Sequence, residues 1–399
     1  MSKLRICMMV TYDLSTHGGG VKQHAVHLAN ALRRRGDHVT IVGPASAPLD
    51  QDDMVGFGGI VNVPANGSDN QLAIFVSPLA VRKFFKTHAF DVMHVHEPMQ
   101  PSLSYYSVWS TPNVPHVATF HAYAENEGRA LNWARRFFAR LILPRFQRAI
   151  AVSEPAARYA RATWDRPLAI IPNGVPTKVF RPPATPRPSG GPLRLLYVGR
   201  LGDKRKGIVY MIEAYEALLA LRVPVTLDII GELGGATPPP ALPGLTYHGS
   251  VDHAALVEAY RNCDVFVAPS TGQESFGIVL VEAMSSGRLV VCSDIEGYRQ
   301  VATTEGSFLV PPCDAAALAR TIQRVAALPE AERARLQAVN LAHVAQFDWD
   351  VLADKVRGEY LAAIGAQQPE AARVVVAAAR PNGVKNGAHK HTGSDDAEV

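Results

Sequence analysis

Residues Arg181-Pro182-Pro183-Ala184-Thr185-Pro186-Arg187-Pro188-Ser189-Gly190-Gly191-Pro192 put five prolines and two glycines into 12 positions, directly before the apolar run Leu193-Arg194-Leu195-Leu196-Tyr197-Val198. Proline lacks an N–H and fixes φ, so the stretch suits neither a helix interior nor a central strand and reads as an interdomain linker. Before it, short β-rich runs at 4–10, 38–42, 91–95, 116–120 and 148–152 alternate with stretches of helical spacing. One of these is 21–35, where Val21, His24, Ala25, Leu28, Ala31 and Leu32 share a face. After the linker the pattern restarts, with strands at 193–198, 225–230, 245–248, 265–268 and 289–292 and helices at about 207–221, 253–262 and 276–285. Alternating strand and helix predicts parallel sheets. The expected fold is α/β: two Rossmann-like doubly wound domains, 1–180 and 193–345, facing across a cleft where the strands' carboxyl ends bind ligands. A helix over 346–365 is expected to cross back onto the first domain. Residues 366–399 hold few large apolar side chains after Pro381 and are expected to be largely disordered.

The composition agrees with that reading. Of 399 residues, 47% are hydrophobic and 19% charged, and mean hydropathy is near zero, which excludes a disordered chain. The length favours two cores over one. No apolar run approaches the ~18 residues of a membrane span, and the opening Met-Ser-Lys-Leu-Arg-Ile-Cys reads as a strand instead of a signal peptide, so a cytoplasmic protein is expected. Cys7, Cys263, Cys292 and Cys313 show no C-x-x-C spacing and read as buried thiols, not disulfides or metal ligands. The net charge of +4 is uneven: residues 1–184 carry 20 Lys and Arg against 12 Asp and Glu, whereas 185–399 carry 20 against 24. A basic N-terminal half points to a polyanionic partner, either an anionic membrane surface or a nucleic acid.

Three loops carry the chemistry. In Gln273-Glu274-Ser275-Phe276-Gly277-Ile278-Val279-Leu280-Val281-Glu282, Glu274 falls just before a helix and Glu282 about two turns inside it. A helix start with Gly277 offers free N–H groups to an anion. Eight helical residues rise ~12 Å, enough for a sugar, a diphosphate and a ribose, and carboxylates accept from hydroxyls at both ends. The competing reading is two helix acids in solvent; the apolar run around Glu282 weighs against it. Gly199-Arg200-Leu201-Gly202-Asp203-Lys204-Arg205-Lys206-Gly207 follows a strand and reads as a phosphate grip by Arg200 and Lys206, against a plain solvated charge run. His17-Gly18-Gly19-Gly20-Val21 precedes the helix bearing Lys22, Gln23 and His24 and allows backbone contact with a phosphate or sugar. It lacks G-x-G-x-x-G, which counts against a dinucleotide dehydrogenase. His96-Glu97-Pro98 and Phe120-His121 each follow a strand and place both histidines at the cleft edge, while His94 reads as structural.

Taken together these motifs resemble the retaining GT-B glycosyltransferases of family 4 over residues 4–364. The resemblance rests on Gly19-Gly20-Val21, Ile171-Pro172-Asn173-Gly174-Val175, Gly199-Arg200 with Arg205-Lys206-Gly207, and the E-x7-E signature from Glu274 to Glu282. It implies a nucleotide-sugar donor in the C-terminal domain, with Arg200 and Lys206 on the diphosphate, Glu274 on the sugar and Glu282 on the ribose. Gly19, Gly20, Phe276, Gly277, Ile278 and Val279 would complete the donor site, and His121 would approach the transferring sugar. Catalysis is expected of His121, Arg200, Lys206 and Glu274.

Within the family the sequence is most similar to bacterial phosphatidylinositol mannosyltransferases, which use GDP-mannose, through His94-Val95-His96-Glu97-Pro98, Pro101-Ser102-Leu103-Ser104, Val117-Ala118-Thr119-Phe120-His121 and Asn66-Gly67-Ser68. That implies a mannosyl donor and a lipid acceptor such as phosphatidylinositol, contacted by Asp13, Gln23, Asn66, Ser68 and Arg205. The sequence departs from that group at Ala65, Gln71 and about Asn126, where it lacks a tyrosine, an arginine and a lysine, and at His253 and Leu256 near the base. A UDP-sugar with diacylglycerol or a soluble sugar as acceptor, a nucleotide-sugar epimerase on the same fold, and a non-catalytic two-lobed sugar-binding protein remain the alternatives. No cofactor and no metal are expected, since the lone D-x-D, Asp348-Trp349-Asp350, reads as helix-start acids.

Two segments suggest where a membrane would sit. Arg129, Arg135, Arg136, Arg140, Arg145 and Arg148 interleave with Trp133, Phe137, Phe138, Leu141 and Ile142, and Arg82, Lys83 and Lys86 interleave with Phe84 and Phe85. Cations beside bulky apolar residues suit an interfacial helix, each cation contributing ~1 kcal/mol near anionic lipid. The alternative is an amphipathic helix packed on the sheet. No RNA-recognition motif occurs, so no nucleic-acid partner is expected. The expected location is peripheral, on the inner face of the plasma membrane.

Overall fold

The computed structural model describes residues 2–378 apart from 16–19, 50, 66–67, 101–102, 124–128 and 186–189, and in 62–72, 129–135 and 367–378 it describes the backbone alone. The first half contains strands β1 (Arg5–Met9), β2 (His38–Gly43), β3 (Met54–Gly56), β4 (Gly59–Ala65), β5 (Ser68–Ile74), β6 (Val92–His96), β7 (His116–Phe120), β8 (Arg148–Ala151) and β9 (Ala169–Ile170). The second contains β10 (Leu193–Val198), β11 (Val225–Ile230), β12 (Leu245–Gly249), β13 (Val265–Ala268), β14 (Leu289–Ser293) and β15 (Ser307–Val310). Seven strands form one parallel sheet in the order β3-β2-β1-β6-β7-β8-β9, and six form another in the order β12-β11-β10-β13-β14-β15. Every residue of β6, β7 and β14 is buried. Strands covered by helices on both faces have no solvent side, so the polar residues within them find partners inside, as His94 does at Thr119 and His116 at Thr111.

Each sheet reverses direction beside its first strand, at β1/β6 and at β10/β13. That switch point opens a crevice at the strands' carboxyl ends, and the loops after β1, β6, β7, β10 and β13 carry the motifs described above. The lobes touch beside these loops: Ser153 Oγ lies 3.2 Å from Ser275 Oγ, the Glu154 N–H donates to Gln300 Oε1 at 3.0 Å, and Arg158 pairs with Glu296.

Four elements carried too little signal for the sequence reading: β3, β9, β15 and the antiparallel β4–β5 hairpin. The first two are three and two residues long, and β5 holds Asp69, Asn70 and Gln71, poor strand formers. The final helix is Trp349–Ala378, longer than the expected 346–365. Residues 379–399 lie outside the described residues.

That helix is fastened to the N-terminal lobe. Arg357 Nε donates to Asp37 Oδ2 at 3.0 Å in a buried pair, the Tyr360 hydroxyl bonds His94 Nδ1 at 2.7 Å, and Arg148 pairs with Glu359 at 2.8 Å. Asp348 and Asp350 serve this attachment: Asp348 accepts from Thr177 and from the Asp350 N–H, and Asp350 accepts from Arg34 at 2.6 Å and Lys178 at 3.0 Å. All four cysteines are free; Cys7, Cys263 and Cys292 are buried and Cys313 is exposed.

Candidate active site

The C-terminal half of the site grows from two glycine turns. Gly207, at φ +67°, ends a short 3-10 turn over Lys204–Lys206 and caps the helix Ile208–Ala220. A Cβ there would stand 1.9 Å from the Pro269 carbonyl oxygen, so only glycine lets the loop after β10 lie against the loop after β13. The closeness brings Lys206 Nζ to 2.6 Å from Glu274 Oε1. Ser270 Oγ also donates to Glu274 Oε1, at 3.3 Å, and lies 2.7 Å from the Tyr298 hydroxyl. A cation and a carboxylate from separate loops, each mostly shielded, thus share one spot at the crevice edge.

Asp203, almost fully buried, accepts from the Arg205 N–H at 3.1 Å and from both ends of its guanidinium, at 2.9 and 2.7 Å. Arg200 Nη2 stands 3.6 Å from the same carboxylate and remains largely exposed. Burial pushes the Asp203 carboxyl up, but the Arg205 hydrogen bonds and charge outweigh this and hold it below its ordinary value. Arg205 is therefore committed within its own loop, where the sequence reading placed it on an acceptor. Arg200 and Lys206 are the loop's cations at the crevice.

The helix after β13 starts later than expected. Gly277, at φ +88°, is its N-cap, and the helix is Ile278–Ser285. Glu282 consequently sits about one turn inside it, not two, and the chain from Glu274 to Gly277 is a bent loop outside the helix, so the helical 12 Å span does not apply. Phe276 is buried with its ring 5.7 Å from that of Phe347, so it offers a ligand its backbone and no ring face. Ile278 and Val279 are half-buried at the helix start. Glu282 accepts from the buried Tyr260 hydroxyl at 2.9 Å. Burial raises its pKa to about 7, with the Tyr260 bond pulling the other way.

On the N-terminal lobe three imidazoles meet. His24, from the helix Gly20–Arg34, and His96 and His121, from the ends of β6 and β7, bring one ring nitrogen each within 4.8 Å of one another. His96 Nδ1 lies 3.0 Å from His121 Nε2, and His24 Nδ1 lies 2.8 Å from Asn173 Oδ1. Burial lowers all three pKa values, that of His24 to about 4, so the cluster is neutral. Among the described residues it is the group whose geometry could hold a metal ion. The Trp349 ring packs edge-on against His24 at 4.8 Å, and Gly174 makes room for it, since a Cβ there would come 2.5 Å from the indole. Sequence reading missed Asn173, Tyr260, Ser270 and Tyr298 as contributors: each acts on a partner remote in sequence or through a side chain common in cores. His94 bonds Tyr360 and Thr119 in full burial and is structural.

Other expected positions divide. Gly20 begins its helix in open space, and Gln23 is exposed on the first turns. Asp13 is fully buried and accepts from Ser15 and Ser46, clasping the loop after β1. Gly19 and Asn66 lie outside the described residues, as does the Ser68 side chain.

The sequence profile described as Glycosyltransferase Family 4 matches residues 18–179, and that described as Glycosyl transferases group 1 matches 192–327. The phosphatidyl-myo-inositol mannosyltransferase of Mycobacterium leprae is 34% identical over 377 residues, covering 90% of this chain and 96% of that protein. The chain belongs to glycosyltransferase family 4. A glycosyltransferase from Rickettsia africae superposes with a TM-score of 0.72 at 18% identity, over 90% of this chain and 99% of that one. Anabaena HepE in complex with UDP gives 0.66 at 18% identity, over 89% and 98%. Both are GT-B enzymes in architecture, and this glycosyltransferase shares that fold.

The glycosyltransferase's basic surface lies on the N-terminal lobe. In the helix Pro78–Thr87, Arg82, Lys83 and Lys86 are exposed, but Phe85 is buried and Phe84 half-buried, so these rings pack inward; Leu79 and, just before the helix, Phe75 are the exposed apolar groups. In the helix Arg129–Ile142, Arg136 and Arg140 are exposed beside exposed Phe137, Phe138 and Leu141, whereas Ile142 is fully buried. The side chains of Arg129 and Arg135 lie outside the described residues. A recess of about 680 Å³ opens beside this helix, lined by Arg136, Arg140, Leu143, Trp164 and Arg166 among others. No helix among the described residues is long and apolar enough to cross a membrane.

Proposed function

We propose that this glycosyltransferase transfers mannose from GDP-mannose, with retention, to a lipid acceptor such as phosphatidylinositol at a membrane surface. The observation that carries the chemistry is the Lys206–Glu274 contact at 2.6 Å, which sets a phosphate-binding cation beside a hydroxyl-binding carboxylate. Arg200 and Lys206, with the first N–H groups of the helix Ile278–Ser285, meet the diphosphate charge as it develops. Glu274 accepts from sugar hydroxyls and Glu282, through its outer oxygen, from the ribose. His121 faces the sugar from the other lobe. The acceptor oxygen bonds to the anomeric carbon as the bond to the diphosphate breaks, and the acceptor's proton passes to the departing phosphate oxygen on the same face. No metal is required in this scheme, so chelation with EDTA should leave the rate unchanged; loss of activity restored by Mg²⁺ or Zn²⁺ would overturn that part.

The mannosyl and lipid assignments are supported by the name of the Mycobacterium leprae relative and by the exposed Arg136, Phe137, Arg140 and Leu141. Arginine heads beside apolar groups suit the headgroup boundary of an anionic bilayer, which would make the enzyme peripheral on the inner leaflet. The decisive experiment offers GDP-mannose and UDP-glucose in parallel to the enzyme with phosphatidylinositol vesicles and follows label into the lipid phase. Label from GDP-mannose alone is expected. A second acceptor reading, diacylglycerol or a soluble sugar, rests on the uncharged Ala65, Gln71 and Asn126; it gains if label moves only to such an acceptor. Product formed from the donor alone would instead mark an epimerase.

A further inference from the structure

The His96–His121 contact carries more information than its distance. One proton must lie between His96 Nδ1 and His121 Nε2, 3.0 Å apart, and either ring could supply it. His96 is fully buried, and its other nitrogen, Nε2, is enclosed with no hydrogen-bond partner. Both nitrogens of His94 are taken, by Tyr360 and Thr119, and His24, whose Nδ1 faces Asn173, brings no atom within hydrogen-bond reach of His96 Nε2. If His121 donated, a neutral His96 would carry its proton on Nε2 and bury an orphaned N–H. If His96 donates, only a lone pair is orphaned. Buried unpaired N–H groups are the rarer of the two in folded proteins.

The backbone of His121 is fixed as well. Glu97 is a non-glycine residue at φ +53°, a left-handed conformation that surrounding bonds must hold in place. Its N–H donates to the Thr119 carbonyl at 2.9 Å, and its carboxylate Oε1 accepts from the N–H groups of His121 at 2.6 Å and Ala122 at 2.8 Å. The loops after β6 and β7 are thereby clamped together, and the His24 ring packs perpendicular to the His121 ring, 4.7 Å between centroids. His121 Nδ1 has no protein partner among the described residues and is not enclosed.

We propose that His96 and Glu97 are positioning residues that hold His121 in its Nδ1–H form, so that it presents a hydrogen-bond donor to the ligand crevice. This rests on the sugar-transfer reading for its purpose: a fixed neutral donor stabilises negative charge gathering on a substrate oxygen without reorganising during the step. Its geometry is independent of that reading.

The test is ring ¹⁵N NMR of histidine-labelled enzyme without substrate, with the His121 signals assigned by loss in His121→Gln. A proton on His121 Nδ1 and a bare Nε2 are expected; a proton on Nε2 overturns the proposal, whatever the enzyme transfers. Two near-isosteric variants then separate positioning from packing. His96→Asn offers an amide donor where Nδ1 stood, whereas His96→Asp offers only an acceptor and should reverse the His121 tautomer. Turnover of the Asp variant should fall at least ~10-fold below that of the Asn variant, with donor KM nearly unchanged. Equal kcat in two folded variants with opposite tautomers would overturn the catalytic purpose. Should either variant fail to fold, the wild-type spectrum alone decides the tautomer.

Discussion

At the scale of single residues, the site is a set of charges placed by their partners. Lys206 and Glu274 neutralise each other at 2.6 Å, so an anionic ligand entering the crevice takes over the lysine and frees the carboxylate for hydroxyls. Lys206→Ala should lower kcat by ~10²–10³-fold, the usual cost of removing one group that stabilises developing charge; steady-state kinetics would show it. Glu274→Gln should reduce turnover more than affinity for the nucleotide diphosphate, measured by calorimetry. Glu282 provides a pH signature in the substrate-free protein. Its folded pKa is raised to about 7 from 4.5 by burial, so between those values the folded state holds a proton that the unfolded state has lost. Its contribution to stability is most favourable below pH 4.5 and declines as pH rises towards 7. In thermal melts Glu282→Gln should remove this decline, gaining on the wild type as pH is raised across that window.

Elements are set by their ends and by what fastens them. The helix Ile278–Ser285 starts at Gly277 because that residue adopts φ +88° against the Tyr298 ring, where a Cβ would come within 2.6 Å. Gly277→Ala should therefore cost ~1–3 kcal/mol from the left-handed backbone alone, read as a shift of the denaturation midpoint. The capping glycine is visible in the sequence, but its φ is not, which is why helical spacing back to Phe276 suggested an earlier start. The final helix is held by Arg357, whose buried guanidinium pairs with Asp37. Arg357→Leu leaves Asp37 buried with, among the described residues, the Leu4 N–H as its side-chain partner, and breaking such a pair costs ~3–5 kcal/mol. The same variant should increase proteolysis around Trp349.

For the whole molecule, the buried histidines set the response to acid. Burial lowers His24 and His27 to about 4 and His94 and His116 to about 3, and takes His96 and His121 well below their ordinary value. The unfolded chain therefore binds more protons than the fold below pH 6.5. This stability is fully present above pH 6.5 and is lost as pH falls towards 4, outweighing the opposite trend of the single Glu282. Melting temperature should drop steeply across that interval, and His116→Phe, away from the crevice, should make the drop shallower. The sequence by itself determined the two parallel sheets and the loops that carry charge, because apolar periodicity and proline or glycine punctuation act over a few residues and need no distant partner. It also placed Arg200, Lys206, Glu274 and His121 beside strand ends, and the resemblance to family 4 was carried by those same loops. Only the tertiary structure decided which groups are committed. Asp203 holds Arg205, Asp13 is sealed by Ser15 and Ser46, Tyr260 reaches Glu282, and His96 meets His121 across two strand ends. Such pairings join residues that sequence spacing does not relate, since the strand order and the tight turns at Gly207 and Gly277 bring their loops together.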